Sequence, residues 1–398
     1  MTRRDATTPA GSDAATPPAG ADREPAAPPA GTQPRVALID GGSFVLPYDH
    51  RVATALAGQG VGVDFHGSRT AYNAEFLDAI AALPGARVTS RRVSGTTASR
   101  LRGGVEYARL WLGVWRARRR YGAVNLQFSV LWPVELPFCG ALGRRFVLTV
   151  HNPVPHGFAG QRHRPTAWLA RLAARLVFVS TFSRNDFIAR YGERFRAKSV
   201  VLPHDLLPLA PGLPRVPYVR WRAPEALVFW STVKPYKGVD LFADLARSRT
   251  LRASSLGLEV VGAWDAALAP LRTELAGLGV TVVDRFLDGA ELLALLARPV
   301  VFVLPYREAS QSGALYTLLH HGCLFMCSDV GDLGDFMRRN GLESMLLADR
   351  SAAAVEACLA RLAADPAAVL AAFAGAQAAT AAAATAAMPL RAAYGLAA

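Results

Sequence analysis

From Arg35 onward the chain alternates short apolar runs of strand length with longer stretches whose apolar positions recur at helical spacing. The first half holds 35-RVALID-40, 61-VGVDF-65, 123-AVNLQF-128, 145-RFVLTV-150 and 176-LVFV-179. A second series comprises 226-ALVFW-230, 258-LEVVG-262, 280-VTVVD-284, 300-VVFVLP-305 and 323-CLFMC-327. Runs that are apolar on both strand faces predict parallel sheets covered by crossover helices. Between the two series, residues 203–224 hold six prolines, which neither a helix interior nor a central strand tolerates. The pattern therefore predicts two Rossmann-like α/β domains, at 35–205 and 226–370, joined by a Pro-rich linker at 206–225. Residues 1–34, rich in Ala and Pro without either period, are expected to be a disordered tail. Residues 371–398 read as an Ala-rich helix or tail.

A chain of 398 residues with 52% hydrophobic content suffices for two cores and excludes a wholly disordered chain or a fibre. The four cysteines are too few and too irregularly spaced for a disulfide framework, and no Cys/His set completes a zinc site, so a reducing cytoplasm is expected. The absence of an uninterrupted apolar run of eighteen residues or of an N-terminal secretory core predicts neither a membrane span nor export.

Charge divides unevenly. The net charge is +13, but residues 35–225 alone carry +16. Ten arginines lie between Arg87 and Arg120 against the single Glu106. The helical pattern over 103–122 sets Tyr107, Leu110, Trp111, Val114 and Trp115 beside Arg116, Arg118, Arg119 and Arg120. Such a segment either packs on the sheet with its arginines in water or lies on an anionic membrane, with Trp111, Trp115 and these four arginines as the contact. Nucleic acid is disfavoured, because the basic groups are not interleaved with a stacking platform.

Two parallel sheets that face one another gather the carboxyl ends of their strands around one cleft, where ligands bind. Three loops there carry candidate chemistry. The chain has three lysines, and two of them, Lys234 and Lys237, fall in 231-STVKPYKG-238 between a strand and a helix. Ammonium groups beside a helix start suit a diphosphate, with Thr232 in the same loop, although a solvated turn would look the same. In 304-LPYREASQSGALYTLLHHG-322, Ser310, Gln311, Ser312 and Gly313 offer hydroxyls and amides at a helix start to a sugar or phosphate. An ordinary N-cap is the alternative. In 149-TVHNPVPHG-157, His151 is expected at the cleft edge, able to bond a sugar hydroxyl or stabilise developing charge. Pairing with His156 on a metal is disfavoured by the intervening prolines.

In order, 149-TVHNPVPH-156, 176-LVFVSTFSRNDFI-188, 201-VLPH-204, 230-WSTVKPYKGVD-240, 261-VGAW-264, 304-LPYREASQSG-313 and 328-SDVGDLGD-335 resemble the GT-B retaining glycosyltransferases, the group 1 or family 4-like kind. The resemblance spans Arg35 to about Asp365. It implies a GT-B fold and transfer of a sugar, a hexose or a relative, from a nucleoside diphosphate sugar to a hydroxyl on a glycan, a lipid-linked or a small acceptor, with retention. Lys237 would contact the donor diphosphate and His151 the transferred sugar. Glu308 is the candidate third catalytic residue, and Gly41, Gly42 and Asn152 are assigned to the acceptor side. No metal and no cofactor beyond the donor is implied. The expected setting is the cytoplasm, with a peripheral place on the inner face of the plasma membrane as the alternative, and the expected process is polysaccharide biosynthesis. The family's pair of glutamates eight positions apart is replaced here by Ala309 and Thr317, and Ser231 and Thr232 stand where its phosphate-loop arginine is expected. A degenerate binding protein and a sugar-nucleotide epimerase of the same fold are therefore the alternatives.

Overall fold

The computed structural model describes residues 33–70, 74–91, 97–154, 163–386 and 390–396. The expected tail lies, but for Gln33 and Pro34, outside the described residues, as does His156. The first sheet comprises β1 (Arg35–Asp40), β2 (Gly62–Gly67), β3 (Arg87–Ser90), β4 (Ala123–Leu126), β5 (Phe146–Val150), β6 (Arg175–Phe178) and β7 (Ser199–Val201), in the order β3-β2-β1-β4-β5-β6-β7. The second comprises β8 (Ala226–Trp230), β9 (Gly257–Val261), β10 (Thr281–Val283), β11 (Val300–Leu304), β12 (Leu324–Ser328) and β13 (Leu346–Leu347), in the order β10-β9-β8-β11-β12-β13. Every pairing is parallel. The central strands are buried on both faces, which is why their sequences are continuously apolar instead of alternating.

The Pro-rich segment is held along the second domain. Leu206, Leu207 and Tyr218 enter its core, Val216 N–H donates to His320 O at 3.0 Å, and the Tyr218 hydroxyl donates to Cys323 O at 2.9 Å. The helix Pro366–Ala386 is long and apolar enough by composition to cross a membrane. In the structure it packs on protein: Val369, Phe373 and Ala376 join the second core, and Gln377 Nε2 donates to the carbonyls of Val216 and Leu319 at 2.9 and 2.7 Å. Its far end returns to the first domain, where Arg51 Nη2 donates to Ala384 O at 2.6 Å. Leu390, Ala393 and Tyr394 then bury themselves in the first core, and the Tyr394 hydroxyl donates to Asn125 Oδ1 at 3.2 Å.

The helix Thr97–Arg116 covers one face of the first sheet with Tyr107, Leu110, Trp111 and Val114. Trp111 is fully buried and stacks on Phe138, so its expected membrane contact is corrected: its ring is a packing element of the core. Trp115 is half-buried and carries the Arg118 guanidinium over its ring at 4.3 Å. Arg116, Arg119 and Arg120 are exposed.

Candidate functional site

The carboxyl ends of both strand sets border a cavity of about 930 Å³. Its first-domain wall includes Gln127, Phe128, His151 and Asn152, from the ends of β4 and β5, and its second-domain wall includes Lys234, Tyr236, Arg307 and Glu308. A smaller cavity of about 270 Å³ shares Arg307 and Glu308 and reaches Ser310 and Gly331. The structure therefore brings His151, Asn152, Lys234 and Glu308 together. Thr232, Lys237, Gln311, Ser312 and Gly313 line neither cavity, nor do Gly41 and Gly42. Gly41 instead turns its carbonyl to Ser68 Oγ at 2.6 Å.

Two glycines let the second-domain loops close on one another. Gly238 has φ +67° and Gly262 has φ +145°, and a Cβ would run into the carbonyl oxygen of Pro305 at the first and of Ser231 at the second. The loop after β8 is thus pressed against those after β9 and β11. Arg350 staples them: Nε donates to Pro305 O at 2.9 Å, and Nη2 to Gly238 O at 3.0 Å and Asp240 Oδ1 at 2.9 Å.

In this packed loop Lys237 is not the exposed side chain that a surface turn would carry. It is 8% exposed, whereas Lys234 is exposed. The Lys237 ammonium donates to Ser231 Oγ and lies 5.2 Å from the centre of the Tyr306 ring. Burial, with Lys234 adding repulsion, pushes its pKa down to about 8. The Tyr306 hydroxyl is 3.4 Å from Ser312 Oγ, at the start of the helix Gly313–His320. No side chain caps that helix, so Ser312 is not the ordinary cap that its position suggested. A buried cation and an uncapped helix start, bridged by Tyr306, form one anion-seeking neighbourhood.

Opposite stands His151, only 2% exposed instead of lying at the cleft edge as expected. Its ring stacks on Phe128 at 4.9 Å and meets Tyr48 edge-on at 5.2 Å. Nε2 lies 3.2 Å from Gln127 Oε1, and Nδ1 has no partner among the described residues. Burial, with His204 adding repulsion, holds its pKa well below the usual imidazole value, so the ring is neutral. With Nε2–H donating to Gln127, Nδ1 is a buried acceptor suited to a sugar hydroxyl.

Arg350, Tyr306, Gln127 and Phe128 were not expected from the sequence. Arg350 lies more than a hundred residues from Gly238 and Asp240, so no local pattern announces it; Tyr306 lies within the segment 304–322, directly after a strand end, which is a signal of its own. Among the described residues no group of three or more His, Cys, Asp or Glu side chains is placed to hold a metal ion.

Residues 224–365 match the family of glycosyl transferases group 1, and no curated protein sequence matches the chain. Among solved structures it is similar to sucrose-phosphate synthase from Thermosynechococcus elongatus, with 16% identity and a TM-score of 0.62 over 91% of this chain and 96% of that one. It is similar to HepE from Anabaena in complex with UDP and glucose, with 14% identity and a TM-score of 0.63 over 88% and 95%. WaaG, a glycosyltransferase involved in lipopolysaccharide biosynthesis, is similar with 14% identity and a TM-score of 0.57 over 87% and 95%. The match thus places the second domain, residues 224–365, with the group 1 glycosyl transferases, and the two parallel sheets of the chain have the GT-B fold.

Proposed function

We propose that the protein transfers a sugar from a nucleoside diphosphate sugar to an acceptor hydroxyl with retention of anomeric configuration. The observation that carries this reading is the buried Lys237 ammonium beside the uncapped start of the helix Gly313–His320, inside the segment that matches the family. A diphosphate is the ligand that such a pair favours, because it supplies the charge that burial denies the lysine. Lys237 and Lys234 offset charge on the leaving diphosphate, and the neutral His151 accepts from a hydroxyl of the transferred sugar. Glu308, on the wall of both cavities, stands between donor and acceptor, with Asn152 on the acceptor side. These cations and the helix end take the charge-compensating part, so the proposed reaction calls for no metal. HepE, solved with UDP and glucose, supports a uridine donor and a hexose. Four free, buried cysteines support a cytoplasmic setting.

The test is a thermal-shift series with UDP, GDP, ADP and their sugars, followed by an assay for release of the nucleoside diphosphate. At a hundredfold excess over Kd a ligand of the folded state adds about 2.7 kcal/mol. One nucleotide class is expected to raise Tm and its sugar to be turned over; no shift with any of them overturns the reading.

A further inference from the structure

Between Glu106 and Asp186 the sequence contains twelve arginines and one acidic residue, Glu135. Glu135 is spent inside the protein, accepting from the Tyr107 hydroxyl at 2.7 Å and from the amides of Val130 and Leu131 at 2.6 and 2.8 Å. The helix Trp132–Leu142, which contains it, consequently shows water no charge at all. Its outer face is Trp132, Pro133, Pro137, Gly140 and Ala141, continued by the exposed Val130 and Leu131. The neighbouring helix Arg164–Leu172 adds Trp168 and Leu172. The two exposed tryptophan rings meet edge to face at 5.5 Å, and Leu172 lies against Gly140.

Cations rim this apolar face. Arg144, Arg164 and Arg171 are exposed and have no carboxylate partner among the described residues, in contrast to Arg109, which is paired with Glu106. Exposed tryptophan and leucine beside unpaired arginines, on two helices that expose no carboxylate of their own, is complementary to an anionic lipid surface. A second copy fits poorly, since a twofold contact would oppose arginines to arginines. The face also leads into the cleft: Val130 and Trp132 line the large cavity that holds His151.

We propose that this face, on the helices Trp132–Leu142 and Arg164–Leu172, docks on an anionic bilayer and presents the cavity mouth to a membrane-anchored acceptor. The acceptor part rests on the transferase reading; the docking part stands without it.

The test is co-sedimentation of the full chain with vesicles of phosphatidylcholine alone and of equal parts phosphatidylcholine and phosphatidylglycerol. The parent should bind the anionic vesicles and lose them as salt rises. Each arginine near such a surface strengthens binding about fivefold, so replacing Arg144, Arg164 and Arg171 with Gln should weaken it about a hundredfold. The variant Leu131→Gln/Leu172→Gln, outside the cavity wall, should bind about tenfold more weakly with nucleotide binding unchanged. Brominated lipid should quench the parent's fluorescence, and Trp132→Phe/Trp168→Phe, a gentler change, should lose that quenching while still sedimenting. Parent binding to neither vesicle, or binding and quenching equal to the parent's in all variants, overturns the proposal. So does a dimer that Leu131→Gln/Leu172→Gln dissociates. A parent that turns over a sugar nucleotide but ignores vesicles refutes the docking alone, whereas one that binds vesicles but no nucleotide refutes the transferase reading.

Discussion

Lys237 donates to the Ser231 hydroxyl across the loop after β8, with the Tyr306 ring at its side. The lysine is thus held in place before any ligand arrives. Lys237→Met, which keeps most of the buried volume, is expected to lower kcat/KM for the sugar nucleotide by about 2 to 4 kcal/mol of transition-state stabilisation. Initial rates alongside thermal melts check this, the melts separating lost chemistry from lost packing. A rate within threefold of the parent contradicts the assignment.

The depressed pKa of that ammonium gives a pH dependence of definite sign. A group with a pKa of about 8 is charged below that pH and neutral above it. Nucleoside diphosphate affinity should therefore fall as pH climbs through 8. Lys234→Gln removes the neighbouring repulsion and should move the fall to higher pH, although it also costs one cation. Calorimetric titrations from pH 7 to 9 measure both; a midpoint that stays put refutes the coupling.

His151→Ala should lower turnover more than nucleotide affinity, because the ring lies on the first-domain wall. As the imidazole stays neutral well below its usual pKa, the parent's rate should show no protonation of this residue between pH 6 and 8. Loss of UDP or GDP affinity at unchanged saturated turnover would move His151 to the nucleotide site.

Stability should respond to Asp49. It is buried beside Asp40, which ends β1, its carboxyl oxygens have no hydrogen-bond partner among the described residues, and burial with the Asp40 charge pushes its pKa well above the usual carboxylate value. A pKa raised on folding means that the folded state keeps a proton the unfolded chain has released, so stability is lost as pH rises from about 4. Asp49→Asn can donate to Asp40 at every pH. It is expected to gain about 1 kcal/mol at pH 8 and little at pH 4. Thermal melts across that range check it; a variant less stable at pH 8 overturns the retained proton on Asp49.

The doubly apolar strands were legible, and ten of the thirteen strands among the described residues were predicted within two residues of their bounds. The missed ones, β3, β7 and β13, lie at or near sheet margins or are only two to four residues long. Arg87–Ser90 is partly exposed, so neither a continuous apolar run nor a clean alternation marks it. At the site, the loops could be located from strand ends and turn residues, but not their depth. Lys237 and His151 are polar in sequence and buried in fact, because Gly238, Gly262 and Arg350 draw separate loops over the first, and Tyr48 and Phe128 enclose the second. Trp111 and Trp168 show the reverse problem. Both are tryptophans near helix arginines, and only tertiary packing decides which one meets solvent.

The return of the segment Leu390–Leu396 to the first core sets an order on biosynthesis. Tyr394 reaches Asn125 and Leu390 joins the core beside β1. A ribosome that has completed all of the first domain has therefore not yet supplied part of its interior. Until the segment Leu390–Leu396 has been synthesised, that half must persist with an open seam of apolar surface, while the later half can already close its sheet. An expression fragment cut at the linker would inherit the same seam, and circular permutation that joins the end segment ahead of β1 would close it.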